Sequence, residues 1–570
     1  MNQPNKLDQE RQLLLQAQKQ GTLATLAAWV RLSGPGWLQS AITLGGGSLA
    51  SSLYLGVLAG MSLLWLQPLA MILGIVMLGA IGYVTLSTGE RPFRAINRHV
   101  NPVLGWSWAL ASLAASMVWC LPQFSLATGV LQQNLAPGLL GPDGPLGDTT
   151  AKGLIAAVIL AVTVGITWSY DSGRWGIRLY ELVLKLMVGM IVVCFVGVVW
   201  VLRDQLDWGA VAGGFVPDLG RIFRPAPALE PLLNQIAEPG RSYWFQQIVA
   251  AQRDTLVSAA ATAVGINMTF LFPYSLLRRG WTREFRGLAV FDLATGMFIP
   301  FVLATSCVIL AAADRFHAQP VPGLVQEDQA PPTRKPTPAE QREYRSLLLG
   351  RLAHDLPPDQ LAQLQKNPQA LEQRLRKLPL AERRLAATLV KRDAHALAQS
   401  LAELVGRRGA HWIFGLGVLG MTLSTITLLM LICGFVVCEM FDLPQGGWAH
   451  RLGALLAAVG ALGPFVWGKA SFYLAVPTSV FGFILLPIAY LTFFFLMNQS
   501  RLLGADMPRG GKRLAWNLLM GLAAGVATVA SVTMVWVKAG RWGLGAVAAL
   551  VLLALVVQVA RKNTKGEPCT

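Results

Sequence analysis

Long apolar runs separated by short polar stretches repeat along nearly the whole chain, and each is about the length that crosses a hydrocarbon core. Twelve spans are predicted, at 23–58, 60–85, 103–133, 153–170, 177–202, 253–277, 288–313, 410–439, 452–469, 474–498, 514–537 and 542–560. The first and sixth are interrupted at their centres by Leu44-Gly45-Gly46-Gly47-Ser48 and Gly265-Ile266-Asn267-Met268-Thr269. Glycines in membrane spans often serve only close helix packing. Two interruptions at corresponding places in the two halves, however, expose backbone carbonyls and amides near the bilayer midplane, where a solute can use them. Irregular backbone is tolerated at that depth only where it lines a cavity. The pattern therefore predicts an all-α polytopic membrane protein with a small ion or solute as substrate.

Composition agrees. The 570 residues are 54% hydrophobic and include 57 Gly and 18 Trp, which excludes an ordinary soluble domain. No short apolar stretch with a small-residue cleavage site precedes the first span, so no cleaved signal peptide is expected. The net charge of +17 could suggest a nucleic-acid partner, but its distribution argues for membrane topology. Arg91, Arg94 and Arg98, then Arg174 and Arg178, then Arg278, Arg279, Arg283 and Arg286, then Arg501, Arg509, Lys512 and Arg513 fall on alternate loops. Both termini in the cytoplasm of a multi-pass cell-membrane protein would satisfy the positive-inside rule, with Arg561, Lys562 and Lys565 in the tail on the same side. The six cysteines, Cys120, Cys194, Cys307, Cys433, Cys438 and Cys569, form no disulfide or metal pattern. The expected partners are membrane lipid and the transported species, with no nucleic acid and no cofactor.

The expected organisation is a cytoplasmic segment at 1–22, a membrane part at 23–313, an extracytoplasmic helical insert at 314–409, a second membrane part at 410–560 and a cytoplasmic tail at 561–570. The insert opens with a proline-rich linker, Gln329 to Pro338. Thr337-Pro338-Ala339-Glu340 then has the form of a capping box with proline at the first helical position. Leu371, Leu375, Leu378, Leu385 and Leu389 mark further short amphipathic helices. A solvated helical cap and a partner-binding or gating module are both compatible with this pattern.

Gly34-Pro35-Gly36-Trp37-Leu38 ahead of a broken helix resembles the first span of the NRAMP family of proton-coupled divalent-metal transporters. Met421-Thr422-Leu423-Ser424-Thr425-Ile426 and Cys438-Glu439-Met440-Phe441 resemble the family's eighth span. Tyr180-Glu181-Leu182, Phe291-Asp292 and Ser500-Arg501-Leu502-Leu503-Gly504 resemble its fifth, seventh and tenth. The resemblance implies the amino-acid transporter (LeuT-type) architecture, a 5+5 inverted repeat with spans 1 and 6 broken, plus two extra helices.

The departures bear on chemistry. Where the family carries Asp-Pro-Gly-Asn, the register puts Gly45-Gly46-Gly47-Ser48, and where it carries Met-Pro-His, it puts Asn267-Met268-Thr269. Third-span acids align with Cys120 and Gln123, a ninth-span Arg with Ala454, and a tenth-span Gln with Ser479. Every ionisable group of the family's site and proton path would thus be neutral here. A dication facing one carboxylate at about 4 Å gains roughly 8 kcal/mol at an effective dielectric of about 20, so loss of the carboxylate should weaken metal binding steeply. Losing the Met thioether also removes the soft ligand. A roomy, neutral, oxygen-rich pocket remains, formed by carbonyls near Ile42 and Val264, by Ser48, Asn267, Thr43, Thr269, Gln123 and Ser479, and by space over Gly45, Gly46 and Gly47. Ser48 and Asn267 are the candidate metal contacts, and Met268 lies beside them.

Three readings stay open: carriage of a divalent cation, magnesium-like and largely hydrated; carriage of a small polar organic solute; or a non-transporting sensor or scaffold. No nucleophile with a His and an acid at useful spacing, phosphate-binding glycine loop or His/Cys cluster points to an enzyme. Lys185, one turn from Glu181 inside the fifth span, should pair with that carboxylate or face a wet interior.

Overall fold

The computed structural model describes residues 6–170, 173–325, 335–392, 396–397, 406–466 and 475–564. The linker from Gln329 lies mostly outside these residues, as do Lys565 and Cys569.

Helices dominate the described residues, and their order follows the apolar runs. Span 1 consists of Pro35–Thr43 and Gly46–Ala59, bent by 53° across the break. Spans 2 to 5 are Leu66–Thr88, Pro102–Leu135, Asp148–Ser169 and Trp175–Leu202, and spans 6 to 10 are Gly240–Arg279, Arg283–Phe316, His411–Met440, Trp448–Val466 and Ala475–Met497. The final stretch, Gly510–Arg561, turns at Gly540, whose φ of 55° suits only glycine without strain. One end is held where Asn498 Nδ2 donates to Asn517 Oδ1 at 2.9 Å, the other where Arg561 donates to the Asn97 carbonyl at 3.0 Å. Lys538, near the turn, reaches Asp254 on span 6 at 2.7 Å. These contacts make it a hairpin of spans 11 and 12, with most of its leucines and valines exposed. All twelve expected spans are therefore present among the described residues.

Two boundaries differ most from expectation: span 6 starts at Gly240 and not near 253, and span 1 starts late. The apolar run from 23 is not continuous with span 1, because Thr22–Leu32 is a separate helix that ends at Ser33. The cause lies at Gly34-Pro35-Gly36. Asp292 of span 7 accepts from the Ser33 hydroxyl, from Gly34 N–H at 3.1 Å and from Gly36 N–H at 2.5 Å, so its carboxylate caps the new helix. A Cβ on Gly36 would lie 2.1 Å from the Asp292 carbonyl oxygen, so only glycine allows this approach.

The insert folds as helices Pro338–Asp355, Pro358–Lys366, Pro368–Arg376 and Leu380–Leu389. Its capping box is formed as expected. Thr337 Oγ1 accepts from Glu340 N–H at 3.2 Å, and Glu340 Oε2 accepts from Thr337 N–H at 2.8 Å. The insert packs against the start of span 6, on the face opposite the Asn97 and Asn498 loops. There Glu382 Oε2 accepts from Trp244 Nε1 at 2.8 Å and from Arg351 Nε at 2.6 Å.

Candidate functional site

Both broken spans fail at two residues, Leu44–Gly45 and Val264–Gly265, and the second half-helices begin at Gly46 and Ile266. Gly46, Gly47 and Ser48, like Asn267, Met268 and Thr269, therefore occupy first helical turns, where the sequence reading had them as part of the interruptions. The two starts are built alike. Gly45 N–H donates to Ser48 Oγ at 3.1 Å, and Gly265 N–H points to Met268 Sδ at 3.4 Å. In each repeat the third residue of the new helix thus reaches back over an orphan amide.

The break in span 1 leaves the Ala41, Ile42 and Thr43 carbonyls without their usual helical donors. Ser424 Oγ reaches Ala41 at 2.9 Å, and the Ser48 hydroxyl bridges Thr43 and Gly45. Gly46 N–H, which would otherwise bond Ile42, donates to Gln123 Oε1 of span 3 at 2.9 Å. The Ile42 carbonyl keeps no backbone donor among the described residues. In span 6, Met268 N–H turns to Asn267 Oδ1 at 3.0 Å and to the Gly265 carbonyl at 3.1 Å, which frees the Val264 carbonyl.

A small cavity of about 10 Å³ lies at the first break, roughly the room one water molecule needs. Ile42, Gly45, Gly47, Ser48, Gln123 and Ser479 line it, all anticipated from sequence. Thr43 lines it too, and spans 3, 6, 8 and 10 add Trp119, Thr262, Thr425 and Thr478. Thr425 stood in the eighth-span motif and Thr478 beside Ser479, but nothing in local spacing showed that these two, Trp119 or Thr262 would point at the break.

The expected roominess is not found. A Cβ on Gly45 would lie 2.5 Å from Thr425 Oγ1, and one on Gly46 would lie 2.2 Å from Leu126 Cδ1. The space freed by the glycines is taken by neighbouring spans. Gly46, Val264, Asn267, Met268 and Thr269 are buried but are not among the cavity-lining residues. Thr269 Oγ1 accepts from Trp108 Nε1 at 2.9 Å, and Val264 packs against Gly74. Asn267 retains a buried Nδ2 with no acceptor. A Cβ on Gly265 would be 2.7 Å from both Asn267 Oδ1 and the Trp119 ring, so the amide stands beside a cavity wall.

The expected Glu181–Lys185 pair is replaced by another arrangement. Arg279 of span 6 donates to both oxygens of Glu181 from one edge of its guanidinium, Nε to Oε1 at 3.0 Å and Nη2 to Oε2. Lys185 Nζ donates to the Ser33 carbonyl at 3.3 Å. The planar fork of arginine matches a carboxylate bidentately, which an ammonium cannot do.

No group of three or more His, Cys, Asp or Glu side chains suited to a metal occurs among the described residues. Cys120 is buried against Gly460 of span 9. Glu439, also away from the cavity, accepts from Arg91 at 3.1 Å and from Gln445 at 2.7 Å.

The fold is similar to that of the Eremococcus coleocola manganese transporter. Two variants of that protein superpose with TM-scores of 0.59 and 0.58 at 14% and 13% identity, covering 94% of this chain and 95% of theirs. Its complex with an aromatic bis-isothiourea substituted compound gives 0.57 at 13% identity, over 95% and 96%. No curated protein sequence matches the chain. The profile of the family described as natural resistance-associated macrophage protein-like matches residues 36–331 and 384–537, leaving out 332–383 within the insert. With most of its length matched, this chain belongs to the Nramp family.

Proposed function

We propose that the chain is a secondary carrier of a divalent metal ion whose site offers neutral oxygens in place of charged ligands. The observation that carries this reading is the cavity at the first break: it is about 10 Å³, lined by hydroxyl, amide and backbone oxygens, with no carboxylate. That volume suits a bare ion or one water in this conformation, not an organic solute. Hard cations such as magnesium accept such oxygen ligands, and keeping their waters would require the site to widen beyond this conformation, whereas selection of manganese or iron would call for softer donors. Family membership supports metal-ion carriage, and the solved manganese transporter shares the fold.

In this reading Ser48 and the Ile42 carbonyl contact the ion from span 1, Gln123 and Ser479 from spans 3 and 10, and Asn267 enters when span 6 moves. Protons are not co-transported in the family's usual manner, since the aligned positions Cys120, Gln123 and Ala454 carry no suitable acid or base. The protein is a carrier and not an enzyme. The basic loops face the cytoplasm of the cell membrane, and the insert at 314–409 faces outward.

The test is uptake of magnesium and of manganese into proteoliposomes, compared with Ser48→Ala, Asn267→Ala and empty vesicles. Uptake that depends on both residues is expected. A monodisperse protein that moves neither ion would overturn the reading and turn attention to a small polar solute, which an uncharged site also suits. Lumenal acidification that tracks uptake would remove the proton-independent part.

A further inference from the structure

We propose that a cleft on the basic face, between the start of span 1 and spans 5 and 6, binds a phosphate group, and that its source is the headgroup of an anionic phospholipid. The cleft has a volume of about 410 Å³ and lies well away from the cavity at the helix breaks. Arg31, Arg178, Lys185, Arg278 and Arg279 line it against two carboxylates, Glu10 and Glu181. Glu181 is held at both oxygens by Arg279. Positive charge is therefore in excess. Lys185 places an ammonium with three donors inside a membrane span, and one of them reaches Ser33. Such a group calls for an anion or water nearby.

The helical order of span 5 says where that anion comes from. At about 100° per residue, turning around the helix passes Glu181, then Lys185 and Arg178, then Leu182, Trp175 and Leu186. The last three are 54%, 70% and 65% exposed. The cations thus stand at the seam between the polar cleft and a lipid-facing stripe, with a tryptophan at the interface level. An acyl chain can lie on Leu182 and Leu186 while its phosphate sits between Arg178 and Lys185. Basic pockets between spans are suited to such headgroups. The N-terminal helix Lys6–Gln20 supplies Leu7 and Glu10 to the cleft wall.

The site also touches the start of span 1. Lys185 and Arg279 hold the Ser33 and Leu32 carbonyls. An occupying phosphate would draw on the same donors, so the lipid would bear on how firmly that helix start is held. This inference stands apart from the identity of the transported ion.

The experiment is thermal unfolding of the full chain in nanodiscs of phosphatidylcholine, alone or mixed with phosphatidylglycerol, with a third arm of phosphatidylcholine plus millimolar orthophosphate. Phosphatidylglycerol is expected to raise Tm, and Arg178→Gln with Lys185→Gln to remove at least half of that rise. The control Arg501→Gln with Lys512→Gln, elsewhere on the basic face, should keep it. Orthophosphate reproducing the whole rise would keep the phosphate site but overturn its lipid source. No rise in either arm, or equal losses in the test and control variants, would overturn the proposal. Should the double variant fail to fold, Arg178→Gln alone, at an exposed position, carries the comparison.

Discussion

Gln123 on span 3 accepts the amide proton of Gly46 at 2.9 Å and so closes the break in span 1 from outside that helix. The bond joins two elements far apart in sequence through a buried backbone donor. Gln123→Leu should therefore leave the Gly46 amide unsatisfied, at a cost of about 1–3 kcal/mol. Thermal unfolding measures the loss, and Gln123→Glu should recover part of it at acidic pH, where the protonated carboxyl still accepts through its carbonyl oxygen without burying a charge.

Crowding around the glycines predicts the outcome of restoring the family's ligands. Gly45→Asp with Ser48→Asn and Asn267→Met should gain little manganese affinity, because the new Cβ meets Thr425 Oγ1 at 2.5 Å. Adding Thr425→Ala removes the obstacle. Manganese binding by calorimetry should appear only in the fourfold variant, and a folded fourfold variant without binding would show the register to be wrong.

Gly46→Ala should destabilise by about 1–3 kcal/mol through overpacking, since its Cβ would fall 2.2 Å from Leu126 Cδ1. Leu126→Ala in the same chain should recover part of the loss. A double-mutant cycle on unfolding temperatures reads the coupling.

In the insert, Arg351 and Glu382 are each 3% exposed. Breaking such a buried pair from one side costs about 3–5 kcal/mol. Glu382→Gln should therefore speed hydrogen exchange across residues 338–389, while spans 2 and 8 keep their protection.

Burial pushes the Glu343 carboxyl up from its ordinary value, and Lys391 only partly offsets this. Folding therefore favours the protonated form. Its contribution is full below the unfolded value, near 4.3, and is lost as pH rises through the higher folded value. Glu343→Gln should flatten the decline of insert stability above that pH, which unfolding followed between pH 4 and 8 would show.

The spans were legible in the sequence because each must satisfy its own backbone hydrogen bonds in lipid, which forces long apolar runs. The breaks were legible as glycines, and Gly34-Pro35-Gly36 as a helix start. What could not be read was the content of the space between helices. Thr425 and Leu126 fill the room over Gly45 and Gly46 from spans 8 and 3, and nothing in local spacing announces which side chains will point there. The partner of Glu181 was missed for the same reason. Lys185 is its neighbour along one helix, but Arg279 arrives from another with better geometry.

The Ser48 hydroxyl has a consequence for selectivity. It spans the Thr43 and Gly45 carbonyls, two oxygens that a cation at the break would also seek. In the proposed reading the hydroxyl is an internal competitor, and an ion would gain only the difference between its own coordination and the hydroxyl it displaces. Weakly coordinating ions would lose that contest and strongly coordinating ones win it, so that in this reading a neutral side chain sets a threshold for entry without contributing any charge.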